Sequence, residues 1–297
     1  MKTYICIDIG GTSIKYGVIG EDAVFLETSG VPTEARTTGG PGIVQKAEAI
    51  IRELCTRYSP AGIGISTAGM VDCDAGKILY AAPLIPHYTG TEWKKLIQER
   101  FHLPCEVEND VNCAGLAEYY AGAARGARVG VCLTIGTGIG GAILMDGKVF
   151  HGCSGSECEV GYMHLPGGAF QDLGAASILT EKVARRKGIP PEEADGKYVF
   201  DQARLGDPIC IQAIDEMAEI LGMGIANICY VINPEVVVLG GGIMAEKEYL
   251  GERLRRSLDR YLLPSVAQNT RLAFAENRNR AGMLGAFYHF RALHPDV

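Results

Sequence analysis

The same short pattern, a strand followed by a glycine-rich turn and a second strand, occurs twice in this chain. The first copy covers residues 7–19 and the second covers residues 133–143. Each copy ends at a polar turn, at residues 20–22 and 146–147. A repeat at this long spacing indicates two duplicated domains, because the units of a solenoid span only about 20–50 residues.

The segments between and after the two copies alternate between helical and strand patterns. Helical spacing of apolar residues, or a β-branched run typical of a strand, predicts the following elements: helix 41–58, strand 63–66, helix 93–101, strand 105–108, helices 112–121, 177–187 and 208–230, strand 235–239, and helices 249–261 and 281–292. Strands that alternate with helices predict an α/β fold built in layers.

Composition excludes several other classes of protein. Glycine accounts for 39 of the 297 residues, nearly double the usual share of about 7%, without a collagen-like period. The net charge of −7 argues against nucleic-acid binding and against a polybasic membrane contact. The ten cysteines form no CxxC pair and are typical of reduced thiols. With no apolar run of about 18 residues and no secretory signal, we expect a soluble, cytoplasmic protein.

Three glycine turns follow strands, at residues 8–12, 134–141 and 239–242. Without a Cβ, the backbone amides of such turns can approach a phosphate, although simple tight turns remain an alternative. The second turn contains GxGxxG at Gly136, Gly138 and Gly141. A dinucleotide fingerprint needs a helix after this motif, whereas Asp146 and Gly147 indicate a hairpin. The pattern therefore favours phosphate binding without a dinucleotide fold.

Two aspartates at strand ends are candidate functional groups. Asp8 ends the first predicted strand, where it could orient a hydrated Mg²⁺ ion or instead stabilise an Asx turn. Asp110 lies between a predicted strand and a predicted helix. It could accept a proton in catalysis or simply cap the helix.

Five motifs together resemble the ROK family of sugar kinases. In chain order they cover residues 8–12, 108–110, 134–141, 159–161 and 233–242. The resemblance implies an actin-like, ribonuclease-H-like α/β fold, duplicated in two domains around a central cleft. Residues 1–108, completed by the C-terminal helix 281–297, would form one domain, and residues 109–280 would form the other.

The resemblance also implies an activity: phosphorylation of the 6-hydroxyl of a hexose-type sugar by ATP and Mg²⁺, with Asp110 as general base. The implied sugar-binding residues are Gly69, Asn109, Asp110, Glu159, Tyr162 and Gln171. The implied nucleotide-binding residues are Asp8, Gly10, Gly11, Thr12, Lys15, Thr137, Gly138, Gly241 and Gly242. Asp8 would hold Mg²⁺ through water, and the protein would form a homodimer.

One motif departs from the family pattern. Tyr162 stands where the ExGH motif of the family has a histidine, and the CxCGxxGC cysteines that bind zinc downstream are missing. Tyrosine is a poor zinc ligand, so we predict no structural zinc. The alternative is a substitute metal site formed by His151, Cys153, Cys158 and His164. The ExGY variant occurs in family members that act on N-acetylmannosamine or β-glucosides, beside glucose kinases that keep the histidine. The sugar therefore stays open among these three.

Three other interpretations compete with a sugar kinase. A transcriptional regulator of the same family would carry a DNA-binding module, for which we expect no room before Asp8. A catalytically silent sugar or nucleotide sensor could use the same fold. An acetate kinase or chaperone-type ATPase would lack the Asn109–Asp110 and Glu159–Gly161 pairings.

Overall fold

Strands and helices alternate along the chain, as the apolar patterns predict. The computed structural model describes residues 1–81 and 85–297. Its strands are β1 Thr3–Ile9, β2 Ser13–Gly20, β3 Phe25–Pro32, β4 Gly62–Thr67, β5 Met70–Asp72, β6 Lys77–Tyr80, β7 Cys105–Asn109, β8 Val129–Ile135, β9 Ile139–Met145, β10 Lys148–Val149, β11 His164–Leu165, β12 Gly168–Ala169, β13 Val236–Gly240 and β14 Arg271–Phe274. Its α-helices are α1 Ala35–Arg57, α2 Trp93–Phe101, α3 Asp110–Ala121, α4 Phe170–Gly174, α5 Ala176–Lys187, α6 Gly196–Arg204, α7 Pro208–Ile232, α8 Lys247–Tyr261, α9 Pro264–Ala267 and α10 Ala281–Leu293. Short 3₁₀ helices cover Val160–Tyr162, Pro191–Glu193, Gly242–Ala245 and Arg278–Arg280.

Two five-stranded sheets have the same topology. One has the strand order β3-β2-β1-β4-β7, and the other has the order β10-β9-β8-β13-β14. In each sheet the first two pairings are antiparallel and the last two are parallel. The sequence repeat is therefore a structural duplication, in which β1 and β2 of one sheet correspond to β8 and β9 of the other.

The chain divides into two compact units. Unit 1 comprises Met1–Tyr120, His151–Ser156 and Asn279–Val297, and unit 2 comprises Ala121–Phe150 and Glu157–Arg278. The sequence suggested a division after residue 108, but the contacts keep most of α3 in unit 1. The reason is close packing between α3 and α10, where a Cβ on Gly285 would lie only 1.8 Å from the carbonyl oxygen of Cys113.

In unit 1, the buried strands β1 and β4 pack against α10. The close approach of α10 to β4 depends on glycine, because a Cβ on Gly64 would lie 2.6 Å from the carbonyl oxygen of Ala286. Helix α1 begins before the predicted start at Pro41 and contains a kink at Gly39, whose φ is 58°. Proline cannot donate a backbone hydrogen bond within a helix, which accounts for a break at this position.

In unit 2, the 25-residue helix α7 lies at the centre and packs against α4, α5, α6 and α8. A Cβ on Gly222 would lie 2.2 Å from Ser257 Oγ, and one on Gly224 would lie 2.4 Å from the ring of Phe170. These two glycines therefore allow α8 and α4 to pack closely against α7. None of the helices in the described part of the chain is both long and apolar enough to cross a membrane.

Candidate functional site

Asp8 is held inside strand β1 by contacts from two neighbouring strands. Its Oδ1 accepts a hydrogen bond from Ser66 Oγ at 2.8 Å, and Lys15 Nζ lies 3.9 Å from Oδ2. Burial raises the pKa of Asp8, while Ser66 and Lys15 act in the opposite direction. The side chain is bonded to a neighbouring strand, so this arrangement differs from the Asx turn that the sequence left open.

The first glycine turn is stabilised on one side and open on the other. Gly10 N donates to Ser13 O at 3.0 Å, and Thr33 Oγ1 donates to Gly10 O at 2.7 Å. Thr33 N also donates to Thr12 O at 3.0 Å. A Cβ added at Gly11 would meet no heavy atom within 4 Å among the described residues. No described atom therefore blocks access to the backbone at Gly11 on this side, as a phosphate-binding turn requires.

Asn109 organises the turn between β7 and α3. Its Nδ2 donates to Gly69 O at 2.9 Å, while its Oδ1 accepts from Val111 N at 2.8 Å and from Asn112 N at 3.1 Å. Asn109 therefore provides the main cap of α3. Asp110 is the first residue of the helix, and its Oδ1 accepts from Val111 N at 3.0 Å.

Asp110 is a partly buried carboxyl group whose pKa is strongly raised. Burial, followed by the nearby charge of Asp8, raises the pKa of Asp110 to about 7, although hydrogen bonds from Val111 and Asn109 act in the opposite direction. Two aspartates predicted from separate motifs thus lie close enough in unit 1 for their charges to interact.

Glu108 connects this turn to a segment that comes much later in the chain. Its Oε1 accepts from Asn109 N at 2.7 Å and from Asn112 Nδ2 at 3.0 Å, and its Oε2 lies 2.6 Å from His151 Nε2. Burial alone would raise the pKa of Glu108, but the contact with His151 and the nearby His289 hold it below its usual range. Nothing in the sequence pattern indicated that residues 108 and 151 would meet.

The four residues of the substitute metal site considered from the sequence are divided between the two units. His151 and Cys153 belong to unit 1, whereas Cys158 and His164 belong to unit 2. In residues 1–81 and 85–297, the group with metal-ligand geometry consists of Cys73, Glu108 and His151. Only His151 is shared with the predicted set. The fold brings Cys73, which follows β5, and Glu108, near the end of β7, next to His151.

The second glycine turn joins two antiparallel strands of unit 2. Gly136 N donates to Gly138 O at 2.9 Å, and Ser177 Oγ donates to Thr137 O at 2.7 Å. Strand β9 follows the turn and ends at a hairpin turn in which Asp146 and Gly147 have φ of 50° and 81°. The prediction of a hairpin is confirmed, and the missing helix excludes the dinucleotide fingerprint.

The third glycine turn lies beside the second within unit 2. Gly241 has φ of 108°, and a Cβ there would lie 2.1 Å from Ile135 O at the end of β8. Only glycine fits this position. Added Cβ atoms at Gly136 and Gly242 would meet no heavy atom within 4 Å in the described part of the chain. Both turns therefore leave backbone open on the same unit.

The remaining predicted residues of unit 2 surround the 3₁₀ helix at Val160–Tyr162. Glu159 immediately precedes it, and partial burial together with the charge of Glu157 raises the pKa of Glu159. The side chain of Tyr162 is 64% exposed. Gln171, on α4, lies beside the second turn, since its Oε1 would be 2.9 Å from a Cβ on Gly138.

Comparison with known proteins matches nearly the whole chain to one protein family and to sugar kinases. The model of the ROK family matches residues 4–292. A β-glucoside kinase from Klebsiella pneumoniae is 32% identical over 97% of this chain and 95% of its own. A ROK family glucokinase from Streptomyces griseus, solved with glucose and AMPPNP, is 28% identical with a TM-score of 0.83 and coverage of 96% and 97%. A candidate N-acetylmannosamine kinase from Listeria monocytogenes is 28% identical with a TM-score of 0.88 and coverage of 98% and 99%. The predicted actin-like α/β fold class is confirmed.

Proposed function

The chain belongs to the ROK family, and we propose that it is an ATP-dependent sugar kinase that phosphorylates the 6-hydroxyl of a hexose-type sugar. N-acetylmannosamine, glucose and β-glucosides are the candidate substrates, in line with the kinases that the chain resembles. The main supporting observation is the β7–α3 turn, where Asn109 is held by Glu108 and Gly69, and Asp110 is held by Val111 and Asn109.

Asp110 is the proposed general base. Phosphoryl transfer needs positioning, charge neutralisation and a group that accepts the proton of the attacking hydroxyl. Asp110 is held at the start of α3 by its bond from Val111 N, while Asn109 is anchored to the carbonyl of Gly69. In this proposal Asp110 accepts the hydroxyl proton, and Asn109 and Gly69 position the sugar.

The glycine turns and Asp8 fit ATP and Mg²⁺. The space beside the backbone of Gly11, Gly136 and Gly242 is empty, and a side chain at these positions would occupy it. Such space is expected where backbone amides approach a phosphate. The carboxylate of Asp8 is a hard oxygen donor suited to a hydrated Mg²⁺ ion, which supplies charge neutralisation when bound. Lys15, opposite Asp8, adds a positive charge on the same pair of strands.

The other predicted residues complete the proposed assignment. Gly10, Thr12, Thr137, Gly138 and Gly241 belong to the nucleotide turns. Glu159, Tyr162 and Gln171 are assigned to sugar binding, with Tyr162 offering a hydroxyl where the family motif has an imidazole.

A panel of sugars tests the activity directly. Purified protein is incubated with ATP, Mg²⁺ and glucose, N-acetylmannosamine, N-acetylglucosamine, mannose, fructose or cellobiose, and ADP release is followed. We expect release that depends on one or a few of these sugars, with phosphate on the 6-hydroxyl of the product by NMR. No sugar-dependent ADP with any of them would contradict the kinase proposal and would favour a silent sensor.

The Asp110→Asn variant tests the general base. Loss of a positioned base typically lowers the rate by about 10²–10⁴-fold, so we expect a fall in kcat of this order with ATP affinity nearly unchanged. Asp74→Asn, at an exposed position in the same unit, is the matched control and should keep normal turnover. An Asp110→Asn enzyme with most of its activity would remove Asp110 from this role.

A further inference from the structure

We propose that Cys73, Glu108 and His151 form a binding site for a zinc-type divalent cation in unit 1. Their three ligand atoms lie within 4.8 Å of one another. A thiolate, an imidazole and a carboxylate together favour Zn²⁺ over Mg²⁺, which prefers oxygen ligands alone. The proposal does not depend on kinase activity.

The distances suit a tetrahedral ion. Bonds of about 2.3 Å to sulfur and about 2.0 Å to nitrogen place the two ligand atoms roughly 3.5 Å apart around zinc. Cys73 Sγ and His151 Nε2 are 3.6 Å apart. His151 Nε2 and Glu108 Oε2 are 2.6 Å apart and share a hydrogen bond. Bound zinc would replace that proton and widen the pair to roughly 3.3 Å.

The carboxylate is already oriented for this role. Glu108 Oε1 is held by Asn109 N and Asn112 Nδ2, and the side chain is only 1% exposed. Such contacts to a ligand's other atom fix its direction and strengthen metal binding. The side chain of His151 is 36% exposed, so water can reach the fourth coordination position.

A second imidazole lies on the buried side of the same carboxylate. His289 Nδ1 is 3.7 Å from Glu108 Oε2, and the residue is 9% exposed. Its Nε2 has no hydrogen-bond partner among the described residues. The surroundings of Glu108 Oε2 are therefore rich in nitrogen donors, as expected near a zinc ligand.

Zinc binding here has a clear chemical balance and a structural consequence. The thiol of Cys73 loses its proton to solvent, and a neutral His151 binds through Nε2 with its proton on Nδ1, so that the ion takes the place of the hydrogen bond to Glu108. The bound ion would connect the end of β5 and segment 151–156 to the turn that carries Asn109 and Asp110. The sequence predicted no structural zinc, and stoichiometric zinc at this site would overturn that prediction.

The test uses the full-length, tag-free protein after chelator treatment and dialysis. The probes are Zn²⁺, with bound metal measured by mass spectrometry, and Co²⁺, whose bond to a thiolate gives a near-ultraviolet charge-transfer band. We expect about one ion per chain. Cys73→Ser should lose the cobalt–thiolate band, and His151→Gln should weaken zinc binding by about 100-fold or more.

Matched controls and a folding check make the result decisive. Cys55→Ser and His102→Gln, in the same unit but outside the cluster, should keep both the metal and the band. Metal-free variants should still unfold in one cooperative transition, which shows that each variant is folded before metal is added. The proposal is overturned if the wild type retains no stoichiometric zinc, or if the Cys73→Ser/His151→Gln double variant binds it equally well.

Discussion

The substitution Gly282→Ala should disturb Asp8 and lower activity, even though alanine is the better helix former. Gly282 lies in the first turn of α10, and a Cβ there would lie 2.3 Å from Asp8 Cγ. Helix propensity alone favours alanine by about 0.8–1 kcal/mol. Overpacking of a buried contact costs about 1–3 kcal/mol, so the free energy of unfolding should fall by up to about 2 kcal/mol.

The effect on turnover follows from the same distance. Asp8 Cγ and the new methyl group must separate from 2.3 Å to about 3.4 Å, a shift of roughly 1 Å. Ser66 and Lys15 hold the carboxylate, so this shift strains its contacts on both sides. A misplacement of about 1 Å at a reacting centre can cost about 100-fold, and we expect kcat/KM for sugar-dependent ADP release to fall by that order.

The matched control for this prediction is Gly251→Ala on α8. A Cβ at Gly251 would meet Phe274 Cε2 at 3.6 Å, an ordinary contact, so the variant should gain up to about 1 kcal/mol and keep its activity. Activity is measured by coupled ADP release, and stability by urea unfolding. If Gly282→Ala were as active as the wild type and more stable, the packing of α10 against Asp8 would be refuted.

Two further predictions concern stability. Tyr88→Phe should lower the free energy of unfolding by about 1–3 kcal/mol, because the buried hydroxyl bonds to Thr67 Oγ1 at 2.6 Å and to Trp93 Nε1 at 3.0 Å; the fluorescence of Trp93, the only tryptophan, reports the transition, and unchanged stability would contradict this network. The pKa of Asp207 is lowered to about 2, chiefly by its hydrogen bond with Lys187. The ionised Asp207 carboxylate therefore adds to the free energy of unfolding. This contribution is fully present above the ordinary pKa of about 4 and is lost as the pH falls through about 2. The melting temperature of the wild type should therefore exceed that of Asp207→Asn at pH 7 but not near pH 2, and a difference independent of pH would contradict this pairing.

Much of the fold could be predicted because its signals are local. The duplicated strand–turn–strand was visible at residues 7–19 and 133–143, and both copies are antiparallel pairs. Asp146 and Gly147 marked a hairpin, since a turn with positive φ favours such residues. Helix α2 has the predicted bounds, and most of the other predicted elements differ from prediction by one to three residues at an end.

Other features could not be predicted because they depend on approach between distant segments. The short helical segment before Gly39 was not predicted, whereas the longer part of α1 begins just after the non-helical Gly39, next to the Pro41 that the sequence favoured as a first helical residue. Gly282 and Gly285 looked like ordinary helix residues. Only the position of α10 against β1 and α3 explains why neither can carry a Cβ without displacement of its neighbours.

The sequence by itself determined the strands of the duplicated pattern, the glycine turns and the family resemblance, but not the strands β5, β6 and β14. These depend on side-chain periodicity and on backbone angles within a few residues, which a linear pattern records. Only the tertiary structure placed Ser66 and Lys15 on Asp8, and brought Cys73 and His151 to Glu108. Those contacts join strands and loops far apart in the chain, and their geometry is set by how sheets and helices pack rather than by local spacing.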